Sequence, residues 1–265
     1  MIIVGELING SRKPVAEALA GRDAEAIVAI ARRQAEAGAD LLDVNAGTGP
    51  DREIEDLLWL IEVITGAVEI PLCIDSPDRE AMEAGLKKAG PRAAMINSTT
   101  AEHERLEAFQ GLARAHGCSI IALCMGEEGV PGDAGGRFQI AGRLVERLTD
   151  GKIPPERIYL DPIVCPVSVD GRAGQTALET LRMIKDGLPR VQTICGLSNI
   201  SFGLPHRQLL NRQFLSIMRA AGLDAAILDP TDGKLTGALR AAEALLGHDE
   251  NCLSYIRAAR QGNLD

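Results

Sequence analysis

The chain has 265 residues, 46% hydrophobic and 25% charged, with a formal net charge of -9. Those values fit a soluble globular protein large enough to bury a sizeable core. No basic run exceeds three residues, which argues against nucleic acid as a partner, because phosphate binding needs clustered Lys and Arg.

The chain opens on "MIIVGELING", without the basic stretch and long apolar run of a signal peptide, and none is expected. No apolar run reaches the length of a membrane span. The six cysteines lie far apart, with no C-x-x-C and no Cys/His ligand spacing. A reduced, cytoplasmic protein without a thiolate metal site is expected, with Cys73, Cys124, Cys165 and Cys195 acting as small hydrophobes. Aromatics make up 3%, so Ala, Leu, Ile and Val must fill the core.

One unit recurs along the chain. An Ala-, Leu- and Glu-rich helical stretch stops at a glycine, and a short apolar strand follows and ends on a polar residue. "ARRQAEAGADLLDVNAG" is the first full example, with Gly38 ending the helix. Gly90, Gly117 and Gly222 repeat that role. Taken in order, the pattern predicts a strand at 1–8, a helix at 23–37, a strand at 39–45 and a helix at 51–66. It continues with a strand at 71–75, a helix at 78–89, a strand at 93–98 and a helix at 102–116. Next come a strand at 119–125, a helix at 137–150, a strand at 157–162 and a helix at 174–187. A strand at 191–197, a helix at 207–221, a strand at 224–229 and helices at 235–246 and 250–261 close the chain. The strands are nearly continuous apolar runs, as strands buried on both faces should be.

Eight such units without a linker or a composition shift predict an α/β protein, a single (β/α)8 TIM barrel occupying 1–265 as one domain. A doubly wound open sheet has fewer strands, and neither G-x-G-x-x-G nor a P-loop motif occurs.

In such a barrel the site forms at the C-terminal ends of the strands. The residues there are Glu6 and Asn9, Asp43 and Asn45, Asp75, Asn97, Asp161, Asn199 and Asp229. Carboxylates and amides dominate, and no Lys or His stands among them. A Schiff-base mechanism is thereby disfavoured, and so is a phosphate as central ligand, since the carboxylates would repel it. Two ligand types want this set. One is a divalent cation held by oxygen atoms. The other is a flat heterocycle with an N–H-rich edge, such as a 2-amino-4-oxopyrimidine, which a carboxylate and an amide can match bond for bond. Any single Asp at a strand end has a plainer role as the N-cap of the next helix. In "DSPDREAM", Asp78 is the better cap candidate than Asp75.

"VGELING", "DLLDVNAG", "PLCIDSP", "AMINSTT", "IYLDPIV" and "GLSNISFGLP", in this order, resemble the pterin-binding methyltransferase barrels. That group includes the methyltetrahydrofolate:corrinoid protein methyltransferases and the folate domain of cobalamin-dependent methionine synthase. The resemblance runs over essentially the whole chain. It implies that Asp75, Asn97 and Asp161 hold the pterin edge; Asp43 and Asn45, from the strand-end set, are expected to bind substrate with them. It also implies that Gly196, Ser198 and Asn199 line the face near N5, Asn199 bonding to that nitrogen as the catalytic residue. Glu6 matches an acidic residue that follows the first strand, and Arg207 a basic residue near the folate tail. Some relatives carry a polar amide where this chain has Phe202, which could instead pack against the ring.

The resemblance implies transfer of a methyl group between N5 of methyltetrahydrofolate and the cobalt of a corrinoid. No D-x-H-x-x-G occurs, so the corrinoid would arrive on a separate protein. A homodimer is also implied, through the apolar "FLSIMRAAGL" and "ALRAAEALL". The sequence leaves the direction of transfer open. Two other readings compete: a dihydropteroate-synthase-like pterin enzyme, which lacks its Ser-x-Arg here, and a non-catalytic folate-binding subunit of a corrinoid complex.

Overall fold

The structure, a computed structural model, describes residues 1–262 and 264. Within them eight parallel strands close into a barrel in chain order. The strands are β1 (Ile2–Asn9), β2 (Leu41–Asn45), β3 (Leu72–Asp75), β4 (Ala93–Thr99), β5 (Ser119–Leu123), β6 (Ile158–Asp161), β7 (Gln192–Gly196) and β8 (Ala225–Leu228). The helices between them are α1 (Lys13–Gly21), α2 (Ala24–Glu36), α3 (Pro50–Thr65), α4 (Arg79–Ala89), α5 (His103–His116), α6 (Ala134–Asp150), α7 (Ala173–Gly187), α8 (Arg207–Ala220), α9 (Gly233–Leu245) and α10 (Leu253–Arg260). The expected barrel is therefore present, each expected strand within one or two residues of its place.

Three differences have local causes. Helix α1 occupies a stretch with no expected element; Pro14 sits in its first turn, where the missing N–H costs nothing. Helix α6 begins three residues earlier than expected, because the Asp133 side chain accepts from Gly136 N and starts the helix through two glycines. The seventh strand stops at Gly196, and Leu197–Ser201 forms a 3-10 turn. Asp78 caps α4 through Ala81 N, as expected, leaving Asp75 free for other work.

Side-chain parity places the site. Val4, Leu41, Cys73, Met95, Ile121, Tyr159, Ile194 and Ala225, one from each strand, form a buried cluster of their own. Their outward neighbours, such as Leu42, Leu72, Ile96 and Ile120, pack in the larger cluster under the helices. Side chains two residues apart share a face of a strand. Two residues beyond that inner cluster stand Glu6, Asp43, Asp75, Asn97, Asp161 and Gly196. The apolar plug thus forms the floor on which this polar layer rests. The cysteines are free, and burial pushes the Cys73, Cys124 and Cys195 thiols up, keeping them neutral packing groups.

Candidate active site

Strand register brings the first group together. Asn45 lies beside Asp75, and Asp75 beside Asn97. Asn45 Nδ2 donates to Asp75 Oδ2 at 2.7 Å, and Asn97 Nδ2 donates to Asp43 Oδ1 at 3.1 Å. Asp43 is 4% exposed. Burial and the nearby Asp75 charge push its carboxyl well above the usual range, which favours its neutral form. Burial also pushes Asp75 up to about 6, against the hydrogen bonds from Asn45 and Asp43. Burial thus raises both adjacent carboxyls, and Asp75, when ionised, can accept from a ligand N–H pair.

Asp161 lies at the end of β6 and is 8% exposed. Burial pushes it up to about 7, offset by the N–H groups of Ile163 and Gly196 and by Arg137. The Ile163 N–H donates to Asp161 Oδ1 at 2.7 Å. Ile163 has φ of 62°, a left-handed conformation costly for a β-branched side chain. Arg137 holds it there: Nη1 donates to Pro162 O at 2.9 Å and to Ile163 O at 2.7 Å, and Nε to Pro131 O at 2.9 Å.

Next to Asp161, and across the barrel from β2–β4, lies the turn after β7. Asn199 is exposed, and its amide has no hydrogen-bond partner among the described residues. A Cβ on Gly196 would lie 3.1 Å from Asn199 Nδ2, so glycine is what lets the amide fold back over the strand end. Ser198 Oγ donates to Glu6 Oε2 at 3.0 Å, and Arg12 pairs with Glu6 at 2.5 Å. Burial raises the Glu6 carboxyl, while Arg12 and Ser198 restrain it.

Arg207 is half-buried at the mouth. Its Nη2 donates to Ser198 O at 2.7 Å and its Nε to Ser201 Oγ at 3.1 Å. Its guanidinium lies 5.8 Å from the Phe202 ring, which is 63% exposed at the mouth. Arg207, which the resemblance sets near the folate tail, is here bonded to the turn beneath it through Nε and Nη2. Of the other strand-end residues, Asn9 and Asp229 fold back on their own loops, bonding Ser11 and Thr231.

The structure therefore gathers Asp43, Asn45, Asp75 and Asn97 at the ends of β2–β4, and places Asp161 beside Gly196 on the β6–β7 side, with Glu6, Ser198 and Asn199 completing the mouth. Sequence reasoning missed Arg12 and Arg137. Each is one arginine among many, with no spacing that marks it. Among the described residues no group of three His, Cys, Asp or Glu side chains is arranged to hold a metal ion.

Comparison with known proteins bears on this arrangement. Residues 5–229 match the pterin binding enzyme family. The chain is 36% identical over 269 residues to methylcorrinoid:tetrahydrofolate methyltransferase of Eubacterium limosum, covering 100% of this chain and 98% of that protein. It is 32% identical over 241 residues to methionine synthase of Mycobacterium tuberculosis, covering 86% of this chain and 20% of the relative. The Mycobacterium leprae methionine synthase is 30% identical over the same length. The family match spans most of the barrel, strands and site included, and the chain belongs to the pterin-binding enzymes.

Proposed function

We propose that this protein is a methyltransferase that moves a methyl group between tetrahydrofolate N5 and the cobalt of a corrinoid protein. One observation carries the reading. Asp75, Asn97 and Asp161 converge on the inner face of the barrel mouth, with the two carboxyls held near 6 and 7. Each can accept from the ring N–H and amino groups of a pterin, while the Asn97 amide serves both a donor and an acceptor. Asp43 and Asn45 set the protonation of that edge.

Asn199 stands across the site, its amide open toward the ligand. Breaking or making an N–CH₃ bond changes the charge on N5, and an amide can stabilise either state by presenting its N–H or its oxygen. Gly196 and Ser198 keep that wall flat and fix the turn. Glu6, with Arg12, anchors Ser198. Phe202 supplies an apolar lip, and Arg207 Nη1 is the donor left for a tail carboxylate. The corrinoid, carried by the partner protein, is the group whose cobalt exchanges the methyl. The chain's lack of a corrinoid-binding D-x-H-x-x-G fits that division of labour. The Eubacterium relative is named for transfer from methylcorrinoid to tetrahydrofolate, and we assign the same direction here.

The further assignments are a single pterin-binding domain over 1–265 (residues 263 and 265 lie outside the described ones), a homodimer and a cytoplasmic location. No helix among the described residues is long and apolar enough to cross a membrane. The test is methylated corrinoid protein plus tetrahydrofolate, followed by corrinoid absorbance. Methyl loss that depends on tetrahydrofolate is the expected result. Folate binding without transfer would reduce the protein to a binding subunit and overturn the assignment.

A further inference from the structure

One arginine outside the site touches both loops that carry the pterin edge. Arg105 lies in the first turn of α5. Its Nη1 donates to Pro77 O at 2.8 Å and its Nη2 to Ser98 O at 2.6 Å. Pro77 stands two residues beyond Asp75, and Ser98 one beyond Asn97. The guanidinium lies 4.4 Å from the Phe109 ring, and Phe109 is fully enclosed in the core. The fork is therefore seated from behind and spans the ends of β3 and β4. Ser76 N also donates to Asn97 O across the two strand ends, at 3.2 Å.

We propose that Arg105 is a positioning residue for the pterin edge, fixing Asp75 and Asn97 relative to each other by holding the carbonyl groups that follow them. This rests on the reading of those two residues as pterin ligands. The role needs an arginine. Two carbonyl groups on separate loops require a planar fork, whereas a lysine ammonium is a point donor on a flexible stem and engages them less rigidly. The charge has a second effect. Asp75 is pushed upward by burial and by Glu53 of α3, and held down by Asn45 and Asp43 of β2 and by Arg105 of α5. A guanidinium behind the carboxylate thus favours the ionised form that accepts from a ligand.

The experiment is tetrahydrofolate titration by calorimetry from about pH 5.5 to 8.5, on wild type, Arg105→Lys and Arg105→Met, with a thermal melt of each. Arg105→Lys keeps the charge and loses the fork; its affinity should fall about tenfold, one net hydrogen bond, with the pH midpoint unmoved. Arg105→Met loses both; its affinity should fall at least as far, and the midpoint should move to higher pH. In methyl transfer the losses should fall on KM more than on kcat. A folded Arg105→Met with wild-type affinity and midpoint overturns the proposal. So does a loss of affinity in both variants with no difference in midpoint between them, which marks a merely structural arginine. Wild type that fails to bind tetrahydrofolate refutes the pterin reading itself, an outcome visible before any variant is compared.

Discussion

At Asn199 binding and chemistry separate. In the proposed reading Asp75, Asn97 and Asp161 grip the pterin edge, so most of the affinity does not need Asn199. An interaction that strengthens only as charge develops changes the rate more than the ground-state complex. Asn199→Ala should lower the methyl-transfer rate by about 100-fold or more, while folate affinity falls by less than about 1.5 kcal/mol. Single-turnover rates at saturating folate, with a parallel titration, check both halves; a normal saturated rate would make Asn199 a binding residue only. Asp161 presents a different conflict, between stability and function. Burial pushes its carboxyl up to about 7. Between the ordinary aspartate range and that value the folded protein keeps a proton that the unfolded chain has lost. Its contribution to stability is therefore fully present at about pH 4 and declines as pH rises to about 7. Asp161→Asn cannot ionise, and its side-chain oxygen can still accept from Ile163. The variant should melt higher than wild type at about pH 8, by roughly 1–4 kcal/mol, and alike at about pH 4. Its folate affinity should drop by roughly 2–3 kcal/mol, because a charged acceptor is gone. Equal melts at both pH values would show that the buried carboxyl costs nothing.

The elements hold these residues by close contact between loops. Gly10, just past β1, donates its N–H to Asn45 O at 3.0 Å. A Cβ there would fall 1.7 Å from Ala46 O, a backbone atom that has nowhere to go. Gly10→Ala must push the ends of β1 and β2 apart. The melting temperature should fall by about 5 °C or more, and folate affinity with it, since Asn45 moves off Asp75. A variant with wild-type melting and affinity would show that the loops can slide without cost. This scale also marks how far the sequence can be read. Strand ends were legible because a period of two carries a polar residue onto the inner face just above an apolar one, as in Cys73 and Asp75 or Met95 and Asn97. The glycines after the helices were legible for their conformation: Gly38, Gly90, Gly117 and Gly222 all have φ between 55° and 102°. Helix α1 was not legible, although "KPVAEALAG" is rich in helix formers, because the stretch is short and Gly10, Pro14 and Gly21 punctuate it as they would a loop. Arg105 and Arg137 were illegible for a deeper reason. Their partners are backbone carbonyl groups on other loops, and no sequence pattern encodes a carbonyl acceptor. Arg207 was visible as a cation at the right place, but its engagement with Ser198 and Ser201 depends on the turn's geometry.

The whole molecule leaves one surface without an internal use. Leu209, Leu210 and Ile217 on α8, Leu245 at the end of α9, and Leu253, Tyr255 and Ile256 on α10 are all exposed, Leu245 at 88%. Helix α9 packs against both α8 and α10, so these side chains belong to neighbouring helices. The stretch "FLSIMRAAGL" is only partly available for a partner, since Phe214, Leu215 and Met218 face the core and Ile217 faces out. Scattered apolar side chains are ordinary on a monomer, and the proposed homodimer would use those on these adjacent helices. The net charge of -9 opposes pairing of two copies, and apolar burial must outweigh it. Repulsion between exposed charges is screened by salt, whereas apolar burial is not weakened by it. The homodimer should therefore persist or tighten as salt is raised. Light scattering at micromolar concentration should give twice the 28.2 kDa chain mass. Leu245→Glu, at a side chain that makes little contact within its own chain, should return the mass to one copy without lowering the melting temperature of the fold itself. Methyl transfer at saturating folate should continue in that monomer, because every residue of the site comes from one barrel. A wild-type chain of single mass at all salt concentrations would leave these helices as plain surface.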